Sequence, residues 1–245
     1  MKIKLLQWNI LCDEDPAKIA AFIKEINPDI ACLQELTNGY QPVGDVGKYI
    51  AAQTGLYSSY HYGPMAMPDD SSSQMGNGIF SKFPIISERW AELQLGVVVE
   101  GTVKQDQRSY VETVLKVDGQ ELTVGTAHLA FRPTMRTSKA KRFSVNRLIK
   151  EVTEVSGRYV LAGDFNATPN SWTVNTVKSK LKHAGPALAQ KTWTQVPLSF
   201  GGRLFDTINW RLDYVFYKGA IKPLQSEILR PKASDHLPIL TEFEI

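Results

Sequence analysis

Two short segments near the C-terminal end carry the residues best suited to chemistry. Arg211-Leu-Asp213-Tyr-Val-Phe-Tyr sets one carboxylate in an apolar run, and Ser234-Asp235-His236-Leu-Pro sets an Asp-His pair just before another. A carboxylate beside an imidazole orients the ring and raises its basicity, so the two segments together point to hydrolytic chemistry. Upstream, Gln34-Glu35, Thr126-Ala-His128-Leu and Gly163-Asp164-Phe-Asn166 each put a polar residue where an apolar run gives way to a loop. Five such strand ends converging in space would build a metal-assisted phosphoesterase site.

Each residue has an ordinary reading beside its chemical one. Glu35 is a hard-oxygen ligand suited to Mg²⁺ or Mn²⁺, or else a surface carboxylate after a strand. Asn9, closing the first apolar run, can orient a metal-bound water or a phosphate oxygen, or else simply bond its own turn. Asp164 and Asn166 fall on the same side of an extended segment, with Gly163 permitting a sharp exit. There Asp164 can orient an attacking water while Asn166 donates to a nonbridging phosphate oxygen; the alternative is an Asx turn before Pro169. Of the four histidines, His128 and His236 sit at candidate strand ends, and Asp213 is the expected partner for a ring nitrogen of His236. His61 and His183 lack such settings and read as surface residues.

Composition sets wider bounds. At 245 residues the chain is long enough for one large α/β domain, residues 1–245, with a fully buried core. A net charge of +3 is too small to declare a nucleic-acid partner. Its distribution is uneven, because Arg132, Arg136, Lys139, Lys141, Arg142, Arg147 and Lys150 follow His128 without one intervening acidic residue. That run is either a solvated helix face or a cationic rim for a phosphate-bearing substrate, with Arg142 as a candidate contact. The two cysteines, Cys12 and Cys32, read as buried free thiols in a reducing compartment, and no Cys-His cluster suits zinc. The apolar run at the N-terminus is too short for a signal peptide and no stretch approaches membrane-spanning length, so a cytoplasmic monomer without membrane insertion is expected.

The elements that must position these residues alternate between strand and helix. Strands are expected at residues 3–8, 29–33, 78–81, 110–117, 121–127, 159–163, 212–217 and 239–244. Asp15 and Pro16 open a helix with Ile19, Phe22, Ile23 and Ile26 along one face, and a second helix covers 142–155. Asp118-Gly119 between two β-rich runs is a hairpin signal, so antiparallel pairing accompanies the β-α-β opening. Residues 64–76 read as a mobile loop.

The chain resembles the endonuclease/exonuclease/phosphatase superfamily, whose members share the deoxyribonuclease I-like fold. The resemblance rests on Gln7-Trp-Asn9, Leu33-Gln-Glu35, Gly76-Asn77-Gly-Ile-Phe-Ser-Lys82, Thr126-Ala-His128-Leu, Gly163-Asp164-Phe-Asn166, Arg211-Leu-Asp213-Tyr and Ser234-Asp235-His236, in the family's order. It implies a four-layer α/β sandwich of two packed mixed sheets flanked by helices, and divalent-metal-dependent cleavage of a phosphoester by in-line attack of water. Carried over, Glu35 becomes the principal metal ligand with Asn9 and Asp235 beside it. Asp164 and Asn166 handle water and phosphate, and His236 pairs with Asp213. Asn77 and Arg108 fall near phosphate-facing positions. His128 resembles the deoxyribonuclease, sphingomyelinase and tyrosyl-DNA phosphodiesterase branches. The expected substrate is a phosphodiester. A nuclease acting on DNA or RNA, gripping the backbone with the basic run and the loop aromatics Tyr60, Tyr62, Phe131 and Trp172, is the alternative. A noncatalytic binding module would require that the ligand set be broken.

Overall fold

A computed structural model describes residues 1–65, 73–94, 97–98, 104–105, 107–132, 134–200 and 202–245. The principal strands are β1 (Lys2–Asn9), β2 (Ile30–Gln41), β3 (Tyr57–Pro64), β4 (Gln74–Ser81), β5 (Ile85–Gln94), β6 (Arg108–Val117), β7 (Gln120–His128), β8 (Tyr159–Asp164), β9 (Asp213–Lys218), β10 (Lys222–Ile228) and β11 (Ile239–Glu244). The helices are α1 (Pro16–Ile26), α2 (Val46–Thr54), α3 (Lys139–Glu154) and α4 (Trp172–Lys178).

The strands form two mixed sheets. One runs β10-β11-β1-β2-β4-β3, with Gly44–Asp45 paired to β2; the other runs β9-β8-β7-β6-β5, with Lys182–His183 beside β9. Each sheet is antiparallel except for a parallel pair inside it, β1 with β2 and β7 with β8. Three apolar clusters separate four layers. Ile3, Leu5, Ile30 and Ile79 meet Val111, Val124, Val160 and Val215 between the sheets. Leu6, Trp8, Leu33 and Phe80 pack outward against Ile19 and Ile23 of α1 and Ile50 of α2. Tyr159, Leu161 and Phe216 pack outward against Val145, Leu148 and Val152 of α3 and Val174 of α4. Strands buried on both faces read as continuous apolar runs, which is why β8 and the first half of β9 stand out in the sequence.

Local chemistry explains the boundaries. The Asp15 side chain accepts from Ala17 N at 2.9 Å ahead of Pro16, and Asn27 ends α1 in the left-handed region. Asp118 and Gly119 both have positive φ, the backbone a two-residue hairpin between β6 and β7 demands. No helix among the described residues is long and apolar enough to cross a membrane.

Several expectations change. The second strand extends to Gln41, passing through a bulge at Glu35 where pairing with β4 slips between Gln34 and Leu36. Helix α3 starts at Lys139 because Ser138 caps it. Strands β3, β5 and β10 and helices α2 and α4 were not foreseen; all three strands are sheet edges, whose half-solvated sequences carry weak patterning. Pro64 closes β3 and residues 74–76 open β4, so the expected loop is confined between them; residues 66–72 lie outside the described set. Tyr60 and Tyr62 sit on β3 rather than a loop, with the Tyr62 hydroxyl donating to Asp45 at 2.7 Å. His61 and His183 are half-buried, not surface residues: His61 stacks on Trp90 and His183 packs edge-on against Phe216. Cys12 and Cys32 form no disulfide, and Cys32 is buried but Cys12 only half-buried.

Candidate active site

The parallel pair of each sheet ends at the same rim. Asn9 lies opposite Gln34 in one sheet, and His128 lies opposite Asp164 in the other. Antiparallel neighbours begin where these strands stop, so Asp213 opens β9 opposite Asp164, and Asp235-His236 lies in the turn that leads through Leu237-Pro238 into β11. Asn9, His128 and Asp164 are thus set by the ends of parallel strands, and ligands of layered α/β proteins bind outside such carboxyl ends.

Asn9 is fully buried. Its Nδ2 donates to Glu35 Oε1 at 2.9 Å and to Asp164 Oδ2 at 3.1 Å, so one amide joins the two sheets. The bulge holds Glu35 at a φ of 64°, where Cys12 N donates to its Oε2 at 3.1 Å. The preceding Gln34 donates to Thr126 Oγ1 across the sheet interface at 2.9 Å.

Gly163 is needed for close packing of the parallel pair, not for a sharp exit: a Cβ there would lie 2.1 Å from the Ala127 carbonyl oxygen. The segment after it is not extended. Asn166 has a φ of 45° and its N donates to Asp164 Oδ1 at 2.8 Å, which is the Asx turn. The turn still aims both side chains inward. Asn166 Nδ2 donates to Leu129 O at 2.9 Å and lies 3.1 Å from His128 Nε2, and Asp164 Oδ2 is 3.4 Å from His128 Nε2 and 3.7 Å from His236 Nε2.

His236 Nδ1 meets Asp213 Oδ2 at 2.9 Å, and Gln7 Nε2 donates to the other oxygen of Asp213 at 2.9 Å. Ser234, at a φ of 63°, donates to Asn9 O at 2.7 Å and accepts from His236 N at 3.0 Å, locking the turn against β1. Arg211 is buried; its Nε donates to Asp213 O at 2.6 Å and its guanidinium reaches the carbonyls of Pro186, Ala187 and Gln190, so it builds the start of β9. Asp235 Oδ2 accepts from Trp193 Nε1 at 2.7 Å, a partner with no sequence signal because it lies in an irregular segment far along the chain. Gln7 and Ser234 lay inside recognised segments, but their bonding follows only from the fold.

The two imidazoles and Asp164 are displaced from their ordinary protonation. Burial opposes charge on His236, yet Asp213, Asp235 and Asp164 outweigh it and raise its pKa well above the usual imidazole value, so the ring is a cation. Burial raises Asp164 to about 7, against the lowering pull of His236. His128 is driven the other way, well below its usual value, by burial and then by Arg108, His236 and Lys141. Its Nδ1 faces Arg108 Nη1 at 2.8 Å, and a guanidinium only donates, so the ring is neutral and accepts there.

The other predicted contacts divide. Asn77 and Arg108 line a cleft beside His128 together with Gly76 and Ser109, the Asn77 amide donating to Ser109 O at 2.8 Å. Arg142 is exposed and lies 4.4 Å over the Trp172 ring, outside the polar cluster. Lys141, part of the run read as either a solvated helix face or a cationic rim, is buried beneath the site.

Two donor sets can accept a cation. Ligand atoms of Asp164, Asp213 and His236 lie within 4.8 Å of one another, but the imidazolium already occupies that position as the positive charge. Glu35 and Asp235 offer carboxylate oxygens, while Asn9 beside them turns its Nδ2 to Glu35 and its Oδ1 accepts from Leu11 N. Burial and then the charge of Asp235 raise the Glu35 pKa, so negative charge at Glu35 is opposed by its neighbour. A divalent ion relieves that repulsion, and this set fits one.

The fold is a four-layer α/β sandwich that gathers carboxylates, amides and two imidazoles at one rim. The sequence profile described as the Endonuclease/Exonuclease/phosphatase family matches residues 6–236, and the chain belongs to that family. An endonuclease/exonuclease/phosphatase from Beutenbergia cavernae is 19% identical with a TM-score of 0.78, covering 100% of this chain and 72% of its own. The human Nocturnin catalytic domain with bound sulfate anion is 20% identical with a TM-score of 0.67, covering 99% and 94%. D. rerio TDP2 complexed with single strand DNA product is 16% identical with a TM-score of 0.72, covering 100% and 99%. No curated protein sequence matches the chain.

Proposed function

We propose that the protein is a divalent-metal-dependent phosphodiesterase that cleaves its substrate by in-line attack of water. The observation that carries this reading is the position of Asp164 Oδ2, within 3.1–3.7 Å of Asn9, His128 and His236 at the junction of both sheets. The physical problem is an anionic phosphorus centre that repels its nucleophile and gathers charge on its oxygens at the transition state.

Asp164, raised to about 7 chiefly by burial, is matched to take a proton from water near neutral pH. As the water oxygen bonds to phosphorus, its proton passes to Asp164, the ester P–O bond opposite breaks with its electron pair on the departing oxygen, and that oxygen takes a proton from solvent to leave as an alcohol. His236, held cationic and oriented by Asp213, donates to a nonbridging oxygen. Asn166 and neutral His128 donate to the remaining oxygens on the side of the Arg108 cleft. Glu35, with Asn9 and Asp235, would hold Mg²⁺ or Mn²⁺, which supplies Lewis-acid polarisation of a phosphate oxygen and stabilises the leaving oxygen.

A nucleic-acid substrate is the second reading. It is favoured by Arg136, Lys139 and Arg142, which stand exposed where the chain leaves the His128 strand and enters α3, with Trp172 beneath Arg142. The bound DNA product in the TDP2 relative accords with it.

The test is a panel of bis(p-nitrophenyl) phosphate, p-nitrophenyl phosphate, and DNA and RNA oligonucleotides, each with Mg²⁺ and with Mn²⁺. Hydrolysis of the diester in preference to the monoester is expected. Full turnover in excess EDTA would sink the metal-dependent reading, and monoester preference would make the protein a phosphatase instead.

A further inference from the structure

One member of the cationic run turns away from solvent. Lys141 lies in the first turn of α3, where its backbone N bonds the Ser138 hydroxyl at 3.1 Å, and the whole residue is only 4% exposed. Its Nζ donates to Ala130 O at 3.2 Å and, in a shorter contact, to Asn166 O. A buried ammonium is costly, and a methionine would fill the same volume without that cost. Burial accordingly draws its pKa down to about 7, partly countered by Asp164.

The two carbonyls belong to the two loops that matter. Strands β7 and β8 run side by side to His128 and Asp164 and then diverge, joined just beyond by Leu129 N donating to Asp164 O at 2.9 Å. Asn166 is in the left-handed region, where no strand partner fixes its peptide plane. Its side-chain amide nevertheless has to stay 3.1 Å from His128 Nε2 and 2.9 Å from Leu129 O. A cation holding one carbonyl from each loop sets that separation.

We propose that Lys141 is a positioning residue, whose ammonium ties the Ala130 and Asn166 carbonyls together and thereby holds the Asn166 amide and the His128 ring in register for reaction. It touches no substrate and acts through those two groups. The inference rests on the proposed phosphodiesterase reading for its consequence in rate, but not for its consequence in structure.

The experiment compares Lys141→Met and Lys141→Arg with the unaltered protein. With bis(p-nitrophenyl) phosphate and saturating Mn²⁺, Lys141→Met should lose roughly 10- to 100-fold in kcat with KM within about twofold, the scale of an ångström-level misplacement. Lys141→Arg, which keeps a cation, should recover part of that loss. In parallel, NMR of the substrate-free protein should show the His128 ring and the Asn166 side-chain amide displaced in Lys141→Met while the His236 ring stays put. If the unaltered protein hydrolyses nothing, the phosphodiesterase reading fails and the resonances alone decide the role of Lys141. Unmoved resonances, or a KM rise with kcat unchanged, would overturn the proposal. Should Lys141→Met not fold, Lys141→Gln, which retains a donor without the charge, takes its place under the same criteria.

Discussion

Asn9 Nδ2 and Asp164 Oδ2 meet at 3.1 Å across the seam between the two sheets, while the same nitrogen holds Glu35 Oε1 at 2.9 Å. This amide thus touches both the expected metal carboxylate and the expected base. It also lowers the Asp164 pKa, opposing burial. Asn9→Ala should therefore shift the acidic limb of the kcat profile to higher pH, because Asp164 then needs a higher pH to lose its proton. Leaving buried acceptors short of a donor should cost about 1–3 kcal/mol of stability, read by urea denaturation. An unmoved limb would show that Asp164 is not the group whose ionisation limits the rate.

Stability should respond to pH at the same residue. The folded pKa of Asp164 is about 7, above its ordinary value of 3.8, so folding favours the protonated form. Its contribution is fully present below about pH 4 and is lost as pH rises through about 7. In metal-free protein, Asp164→Asn should gain stability relative to the unaltered chain between about pH 5 and pH 8, measured as the difference in denaturation midpoint. A constant difference across that window would contradict the shift.

Metal dependence rests on the opposed carboxylates. Glu35→Gln replaces a charged oxygen by an amide oxygen, which should preserve the fold and raise the Mg²⁺ or Mn²⁺ concentration for half-maximal activity by at least about tenfold. The check is a metal titration after EDTA treatment. Coincident titration curves would move the ion elsewhere, with the Asp164, Asp213 and His236 cluster the next place to look.

The Asp213–His236 contact at 2.9 Å predicts non-additivity. His236→Ala should cost on the order of 10²- to 10⁴-fold in kcat, the span of a positioned donor. Asp213→Asn acts through the same ring, so the double variant should be scarcely slower than His236→Ala alone. Imidazole proton NMR supplies the independent reading: His236 should remain protonated through neutral pH, and Asp213→Asn should bring its titration down toward the ordinary range. Additive losses would refute the pairing.

If nucleic acid is the substrate, the exposed cations should set the salt dependence of binding. Replacing Arg136, Lys139 and Arg142 together by alanine should flatten the slope of log K against log salt by roughly 0.9 for each duplex phosphate that is no longer neutralised. Lys141 is left out of that set because its ammonium is committed to Ala130 and Asn166. A slope unchanged by the triple substitution points to a small phosphoester.

The sequence by itself determined the chemistry on offer and the layered architecture. His128, Asp164 and Asp213 were legible because each lies where a strand largely buried on both faces begins or ends, and such strands are apolar runs that break sharply into polar residues. Strands β3, β5 and β10 were not legible because an edge strand packs on one side only and its pattern dilutes. Tertiary structure alone decided the rest. A bulge, invisible in Leu33-Gln-Glu35-Leu, carries the strand past Glu35 and turns its side chain to the rim. The same type of residue took opposite roles, with Lys139 exposed and Lys141 buried two positions on, because helical periodicity turns one outward and the other beneath Asn166. The protonation states of His128 and His236 also diverged only in the fold, one facing a guanidinium and the other three carboxylates. Charge at a site is set by neighbours in space, and those neighbours come from strands that are far apart in the chain.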